Sequence, residues 1–345
     1  MPSFNLGFLG FGNVNRALVR LLAAREAELR DLHGIEYRIT GIASRRLGWI
    51  ADPNGFAAHE LLHEDGIRKV PSRAGMPAPH QIQHHVRSWM EAAKVDVLFE
   101  ATSLNAQTGQ PAIDHLQAAL ERGAHAITAN KGPVVHAYDE LTALAARQGR
   151  RFLFESAVMD GVPIFSLFRD SLPLVQLHGF RGILNSTTNV ILGGMEQGLS
   201  FDDSLRRAQE LGVAETDASD DIDGWDAAVK VAALVRVLMG VKLGLNEIQR
   251  MGIRSLTGDA VRAARTEGRP YKLVCRARKV GDVVQASVAP EQVPLSDPLA
   301  LVEGTSSVVY FETDIFPGLA IFEDNPGLDA TAYGMLADFI RAVAK

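Results

Sequence analysis

Between Gly212 and Lys230 the chain reads GVAETDASDDIDGWDAAVK, which sets Glu215, Asp217, Asp220, Asp221, Asp223 and Asp226 ahead of one lysine. The run that follows, VAALVRVLMGV, is apolar at helical spacing, so a helix opens near Asp223 or Gly224. Acids are favoured in its first turn by the helix dipole. Asp226 and Lys230 stand at i and i+4 on one face of that helix. A lysine beside a carboxylate at the edge of an apolar face can move a proton as an acid or base. The same pair on a solvated face is an ordinary ion pair worth a few tenths of a kcal/mol. From this stretch alone both readings stand.

Other residues with chemical potential sit where a strand gives way to a helix. Gly10-Phe-Gly12 follows the apolar run FNLGFLG and precedes an amphipathic segment reaching about Leu32. Glycines in that place let the backbone approach a dinucleotide pyrophosphate, and the N–H groups of Gly12, Asn13 and Val14 would face it at the helix N-terminus. The third glycine of such a motif is replaced by Asn15. The second strand, about Tyr37 to Ala43, ends in Ser44-Arg45-Arg46, where NAD binders usually carry an acid. A guanidinium there suits the 2′-phosphate of NADP, so Arg45 predicts NADP, with NAD the alternative and a solvated basic loop the bland one. Thr102, Ser103, Asn130 and Lys131 follow the strands VDVLFEA and HAIT, and Asn185, Ser186 and Thr187 follow LVQLHGFRGIL. Hydroxyls and amides at such a turn could hold a small carboxylate, or simply cap a helix.

The elements that must position these residues read as strand, helix, strand up to Phe154. That alternation predicts an α/β chain whose N-terminal part is a Rossmann-type, doubly wound parallel sheet. Residues 47–94 read as irregular, with a turn at Pro53-Asn-Gly55, a proline-rich loop from Pro71 to Pro79 and a helix over 82–93. His80, His84 and His85 lack a partner at ligand spacing and read as surface or capping histidines. Beyond Leu174, strands around 174–184, 271–289 and 305–322 predict a second, α+β domain with a mixed sheet and helices on one face. The boundaries expected are 1–155 for the dinucleotide-binding domain, with a last helix from 328 to 344 or 345 returning to it, and 156–327 for a substrate, catalytic and dimerisation domain.

Composition limits the rest. A chain of 345 residues, 47% hydrophobic with a net charge of −6, is that of an ordinary soluble protein with no general affinity for nucleic acid or anionic membrane. Its single cysteine, Cys275, excludes an intrachain disulfide and sits in a strand-like run as a small buried hydrophobe. No signal peptide and no membrane span is visible, so a cytoplasmic location is expected.

The acidic stretch and its helix closely resemble those of homoserine dehydrogenases, with the pattern AE-x-D…D-x-D-G-x-D-A-A-x-K. VLFEATSLN…TGQPA, ITANKGP, the loop Glu155-Ser-Ala-Val158-Met-Asp160-Gly-Val162-Pro163, and GILNSTTN resemble further signatures of that family, with Ser186 for its usual glycine. The resemblance spans the whole chain. It implies interconversion of L-homoserine and L-aspartate 4-semialdehyde by hydride transfer, within the biosynthesis of threonine and methionine. It also implies Lys230 as proton donor and Lys131 as a second active-site lysine. Glu215, Asp221 and Asp226 would hold the substrate with Asn185 and Thr187, and Thr102, Ser103 and Asn130 would stand near the nicotinamide. Glu155, Val158, Asp160 and Val162 would bind a monovalent cation such as Na+, and the molecule would be a homodimer. The family's glycine-rich turn before the last helix reads here Glu323-Asp-Asn-Pro-Gly327-Leu, which predicts a turn standing back from the cofactor. The last residues leave no room for the regulatory domain that many members append. A related dehydrogenase for another small hydroxy compound, and a cofactor-binding homologue without turnover, are the alternatives.

Overall fold

The computed structural model describes residues 1–62 and 82–344, with side chains of 82–84 left aside. The expected loop Pro71–Pro79 and His80 lie outside the described residues, as does the side chain of His84. The chain divides into two compact units, one of residues 1–164 with 327–345 and one of residues 165–326.

The first unit is built on a six-stranded sheet. Its strands are β1 (Ser3–Leu9), β2 (Glu36–Ser44), β3 (Gly48–Phe56), β4 (Val97–Glu100), β5 (His125–Thr128) and β6 (Phe152–Leu153). Their order is β3-β2-β1-β4-β5-β6. β1 pairs parallel with both β2 and β4, so the chain reverses its winding direction between them. In an open α/β sheet that switch point is where a crevice forms beyond the carboxyl ends of the strands. The buried residues of β1 and β4, Leu6, Phe8, Val97 and Phe99, explain why these strands read as continuous apolar runs.

Two expectations are corrected here. Residues 48–56 form strand β3, antiparallel to β2, rather than an irregular segment. Pro53-Asn-Gly55 does turn, but as an excursion inside that strand: Asp52 Oδ1 accepts the Asn54 N–H at 2.9 Å, and pairing resumes at Phe56. A proline is tolerated because β3 is an edge strand. The first helix is also broken, into Asn13–Ala24 and Glu26–His33, at Arg25, whose backbone leaves helical geometry.

The last helix, Leu328–Val343, packs within the first unit. Phe339 enters the core edge-on to Phe99 at 5.9 Å and to Phe4 at 6.2 Å, while Phe8 stacks on Phe99 at 5.0 Å. Buried Asp338 accepts the Glu155 N–H at 2.7 Å, and Arg341 reaches both carboxylates. Ser156 Oγ donates to the Thr331 carbonyl at 2.7 Å. Gly161 lies directly against Gly334 of this helix.

The second unit carries β7 (Leu177–Ile183), β8 (Gln249–Arg250), β9 (Tyr271–Val280), β10 (Val283–Gln292), β11 (Ser307–Thr313) and β12 (Leu319–Glu323). They are ordered β12-β11-β7-β9-β10-β8, antiparallel except for the β8–β10 edge. Helices Ser186–Glu196, Trp225–Leu238 and Gly258–Thr266 all pack on β9. Cys275 of β9 is fully buried, and burial pushes its thiol up to about 12, as suits an inert core residue.

The close approach of two backbones at Gly161 makes a sharp demand. Its φ of +144° lies where L side chains are strained, and an added Cβ would overlap the Ala330 carbonyl. Gly161→Ala is expected to destabilise the chain by about 2–5 kcal/mol, the sum of conformational and overpacking costs. Urea unfolding measures it, and a change below about 0.5 kcal/mol would contradict the packing described.

Candidate active site

In the first unit the loops after β1, β4 and β5 converge. Gly10 has φ +82°, and its Cα hydrogens face the backbone of Ala101 and Thr102, where any Cβ would collide. Gly10 N donates to the Ala43 carbonyl at 2.8 Å and Ala101 N to the Leu9 carbonyl at 2.9 Å, so three strand ends are tied together. Asn15, in place of a third glycine, is buried, and its Nδ2 donates to the carbonyls of Leu9 and Gly10, both at 3.2 Å. It braces the turn that the glycine would merely have allowed.

Gly12 is the N-cap of helix Asn13–Ala24, in extended conformation, with no side chain capping the helix and no acid in its first turn. Space is open where its Cβ would stand. A helix end of this kind offers backbone N–H groups and positive potential to an anion. Gly10, Gly12, Asn13 and Val14 therefore fit a dinucleotide pyrophosphate. Arg45 and Arg46 are exposed in the three-residue turn between β2 and β3, closed by the Leu47 N–H on Ser44 Oγ at 3.1 Å.

A residue passed over in the sequence organises the β4 and β5 loops. Glu100 is fully buried, and its carboxyl accepts the Thr102 N–H at 2.8 Å, the Thr102 hydroxyl, and the Thr128 hydroxyl at 2.6 Å. Burial raises its pKa against those hydrogen bonds. An acid inside a strand of otherwise apolar residues was the available signal. Asn130 joins the network: its N–H reaches Thr128 Oγ1 at 2.9 Å and its Nδ2 the Thr102 carbonyl at 3.3 Å. Its Oδ1 accepts the Gly132 N–H at 3.0 Å and so caps helix Lys131–Arg147. Lys131 is thus the first residue of a helix, half-buried, rather than part of a turn before one. Ser103 is exposed beside Thr102.

In the loop after β6, Glu155 is buried on Arg341, and Asp160 Oδ1 accepts the Thr331 hydroxyl at 2.9 Å. The Val162 carbonyl accepts the Ile164 N–H at 2.8 Å, and Val158 is buried. Met159 and Asp160 both have φ of +53°. Among the described residues no group of three His, Cys, Asp or Glu could hold a metal ion.

The second unit brings four predicted residues together. Gly224, at φ +80°, starts helix Trp225–Leu238. One turn in, Lys230 Nζ stands 3.0 Å from Asp226 Oδ2 and donates to the Leu184 carbonyl at 2.6 Å. Both side chains are only 18% exposed, so the pair is not a solvated surface bridge. Asn185 Nδ2 donates to Asp221 Oδ1 at 2.6 Å and to Asp226 Oδ2 at 3.1 Å. Asn185 Oδ1 meanwhile accepts the Thr188 N–H at 2.9 Å, capping helix Ser186–Glu196. The amide thus caps a helix with its oxygen and joins the carboxylate cluster with its nitrogen. Thr187 is buried on the flank, its hydroxyl on the Val213 carbonyl at 3.2 Å and within reach of Asp221. Glu215 is exposed, and only its carbonyl has a described bond, from Gln209. Asp217 is spent on an Asx turn with Ser219. Asp223 is held by Arg254 at 3.0 Å, while Arg250 grips the Asp223 carbonyl and lies 3.6 Å over the Trp225 ring.

Chemically, the cluster is an ammonium set between a carbonyl and a carboxylate, with a second carboxylate behind a shared amide. Burial raises the Asp221 pKa, and Asp226 beside it raises it further.

The family model described as homoserine dehydrogenase matches residues 163–340, and that of the homoserine dehydrogenase NAD binding domain matches residues 10–155. An NAD(+)-dependent homoserine dehydrogenase of Pseudomonas canavaninivorans is 33% identical, over 99% of this chain and 96% of its own. The crystal structure of a putative homoserine dehydrogenase from Archaeoglobus fulgidus superposes with a TM-score of 0.84 at 29% identity, covering 99% of this chain and all of that one. A hyperthermophilic archaeal homoserine dehydrogenase mutant in complex with NADPH gives 0.80 at 28% identity, covering 99% of this chain and 98% of its own.

Two outcomes test this geometry. Gly12→Ala meets no atom within 4 Å and has an ordinary φ of −98°, so stability should stay within about 0.5 kcal/mol. NAD(P)H titration should nonetheless show affinity falling at least about tenfold, because the methyl occupies the space a pyrophosphate needs. Asp221 gives a pH signature. Its carboxyl is raised in the folded chain, so its contribution is fully present below the ordinary carboxylate pKa and is lost as pH rises through the raised value. Asp221→Asn should therefore gain stability relative to the parent as pH climbs from about 4 upward. Parallel chemical-denaturation curves that keep a constant gap across pH would refute the burial described.

Proposed function

The chain belongs to the homoserine dehydrogenase family, NAD(P)-dependent oxidoreductases acting on a CH–OH group, and on that premise we propose how its residues divide the work. The reaction is the interconversion of L-homoserine and L-aspartate 4-semialdehyde. The observation that carries the assignment is Lys230, seated between Asp226 and the Leu184 carbonyl in a largely buried pair. In the reducing direction negative charge develops on the aldehyde oxygen, and the Lys230 ammonium donates a proton to it. Asp226 and the Leu184 carbonyl hold the amine in place. Asn185 fixes Asp226 and Asp221 in one place, and Asp221, Glu215 and Thr187 receive the polar ends of the substrate. Lys131, in the first unit, is proposed as a second active-site lysine.

Gly10, Gly12, Asn13 and Val14 would hold the pyrophosphate of the dinucleotide, and Thr102, Ser103 and Asn130 would stand near its nicotinamide. Bound there, the nicotinamide supplies or accepts the hydride. Arg45, exposed just beyond β2 where an acid is absent, supports NADP as the preferred form. The Pseudomonas canavaninivorans relative, NAD(+)-dependent by name, represents the competing outcome. A monovalent cation at the loop of Glu155, Val158, Asp160 and Val162 belongs to the same reading. The left-handed Met159 and Asp160 support it, since strained backbone often marks a ligand site. Assembly as a homodimer belongs to the same reading and follows from the family alone. Among the described residues no helix is long and apolar enough to cross a membrane, and a cytoplasmic biosynthetic role is in keeping with that.

Consumption of NADPH with L-aspartate 4-semialdehyde, followed by absorbance, tests the reading. Oxidation with a different hydroxy compound only, or none, would transfer the chain to a related dehydrogenase or a silent homologue. Lys230→Ala should lower turnover by roughly 10²–10⁴-fold with NADP(H) binding retained. A loss below tenfold would return Lys230 to a structural ion pair. Arg45→Ala should weaken NADPH by about tenfold or more, the equivalent of roughly 1.5–3 kcal/mol for a charge-assisted bond, and leave NADH nearly unchanged. Equal losses for the two cofactors, or none, would remove the NADP preference.

A further inference from the structure

The second unit holds a half-open cleft of about 440 Å³ that includes none of Asn185, Asp221, Asp226 and Lys230 in its walls. It runs along the helix Ser186–Glu196, and its size is that of a small-molecule site. Five charged side chains line it: Lys272, Arg265, Arg207, Glu196 and Glu303.

Lys272 forms the floor. It is 4% exposed, and its Nζ donates to Asn189 Oδ1 at 3.1 Å and to the Val302 carbonyl. Both of these acceptors are neutral, and Glu196 and Glu303 act on its charge only through space. Glu196 stands nearby with a side chain only 12% exposed, and its Oε1 is buried with no hydrogen-bond partner. A buried carboxylate oxygen without a donor is costly, and native proteins seldom keep one idle. Arg265 lies between the acids, with Nε 3.7 Å from Glu196 Oε2 and Nη2 3.7 Å from Glu303 Oε1. Those separations exceed hydrogen-bond length but lie within ion-pair range, so the guanidinium is loosely paired with both carboxylates and keeps its N–H groups open to a closer acceptor. Burial lowers the Lys272 pKa and raises that of Glu196, the pattern of charges kept out of water for a partner.

Cations and anions gathered in one cleft are complementary to a ligand bearing both signs. An apolar or purely anionic molecule would bring no donor for Glu196 Oε1. From this geometry we infer that the cleft is a second binding site for a small zwitterionic amino acid, its carboxylate on Arg265 above Lys272 and its ammonium on Glu196. The occupant belongs to the same chemical class as the substrate but sits apart from the catalytic lysine. No residue of the cleft takes part in the proposed proton transfer, so the site goes beyond that reaction.

The test uses L-2-aminobutyrate, which has the substrate's charges but no hydroxyl to oxidise. Isothermal titration into the full chain saturated with NADP+ should resolve two sites. Lys272→Met, and Arg265→Ala on the partly exposed rim, should each remove one of them. The KM for homoserine in both variants should stay within about twofold of the parent. Butyrate and propylamine, each lacking one charge, should bind the cleft at least about tenfold more weakly. One site that survives both substitutions overturns the inference, as does butyrate binding as tightly as the zwitterion. One site that both substitutions abolish upholds the cleft and counts instead against substrate binding at the catalytic cluster. The rim variant, whose side chain is 41% exposed, keeps the result readable if Lys272→Met fails to fold.

Discussion

Two carboxylates, Asp221 and Asp226, accept hydrogen bonds from a single nitrogen, the side-chain amide of Asn185. Like charges brought so close repel, and burial adds to the cost. The repulsion is offset by the shared amide and by the Lys230 ammonium, which acts on both acids. Burial and the neighbouring Asp226 raise the Asp221 pKa. Asp226 is compensated by Lys230 at 3.0 Å. Within the cluster the described ion pair of the ammonium is with Asp226, and its charge also lowers the Asp221 pKa through space.

The same amide links the cluster to the fold. Its oxygen caps helix Ser186–Glu196, so the orientation of Asn185 is dictated by backbone that must be satisfied whether or not substrate is present. Leu184, one residue earlier, presents its carbonyl to Lys230. The residue after β7 thus holds one side of the lysine, and helix Trp225–Leu238 holds another through Asp226. Arg250, stacked on Trp225 and bonded to the Asp223 carbonyl, secures the beginning of that helix. A site assembled this way is preorganised by elements rather than by loop packing.

The first unit obeys a different constraint, the close approach of backbones. Gly10 against Ala101, Gly109 against Gly132, and Gly161 against Gly334 leave no room for a side chain. Each contact joins a loop to a neighbouring loop or helix at the carboxyl end of the sheet. Glu100 supplies what such bare contacts lack, a buried acceptor tying the hydroxyls of Thr102 and Thr128. At the far end of the sequence, Glu323 and Asp324 turn toward the hydroxyls of Ser307 and Ser306, within their own unit. The acidic turn that departs from the family pattern is thus occupied with structural bonds.

Local chemistry was legible in the sequence because it rests on short-range rules. The glycine turn after β1, the alternation of strands and helices, the i, i+4 spacing of Asp226 and Lys230, and Asn185 at a strand–helix junction all follow from neighbouring residues. So did the helix cap at Asn185, though not that one amide would serve two roles. What the residues alone left undecided was long-range. Whether the Asp226–Lys230 pair was solvated or buried depended on Leu184, some 46 positions away. The role of Glu100 required Thr128 on an adjacent strand, and strand β3 required an edge of β2 to pair with on both sides of the turn at Pro53-Asn-Gly55. The charged cleft around Lys272 draws on helix Ser186–Glu196, strand β9 and the segment at Glu303, which nothing in sequence order joins. Desolvation and cross-element hydrogen bonding depend on the assembled fold, and they decided which acids and amines became chemically distinctive.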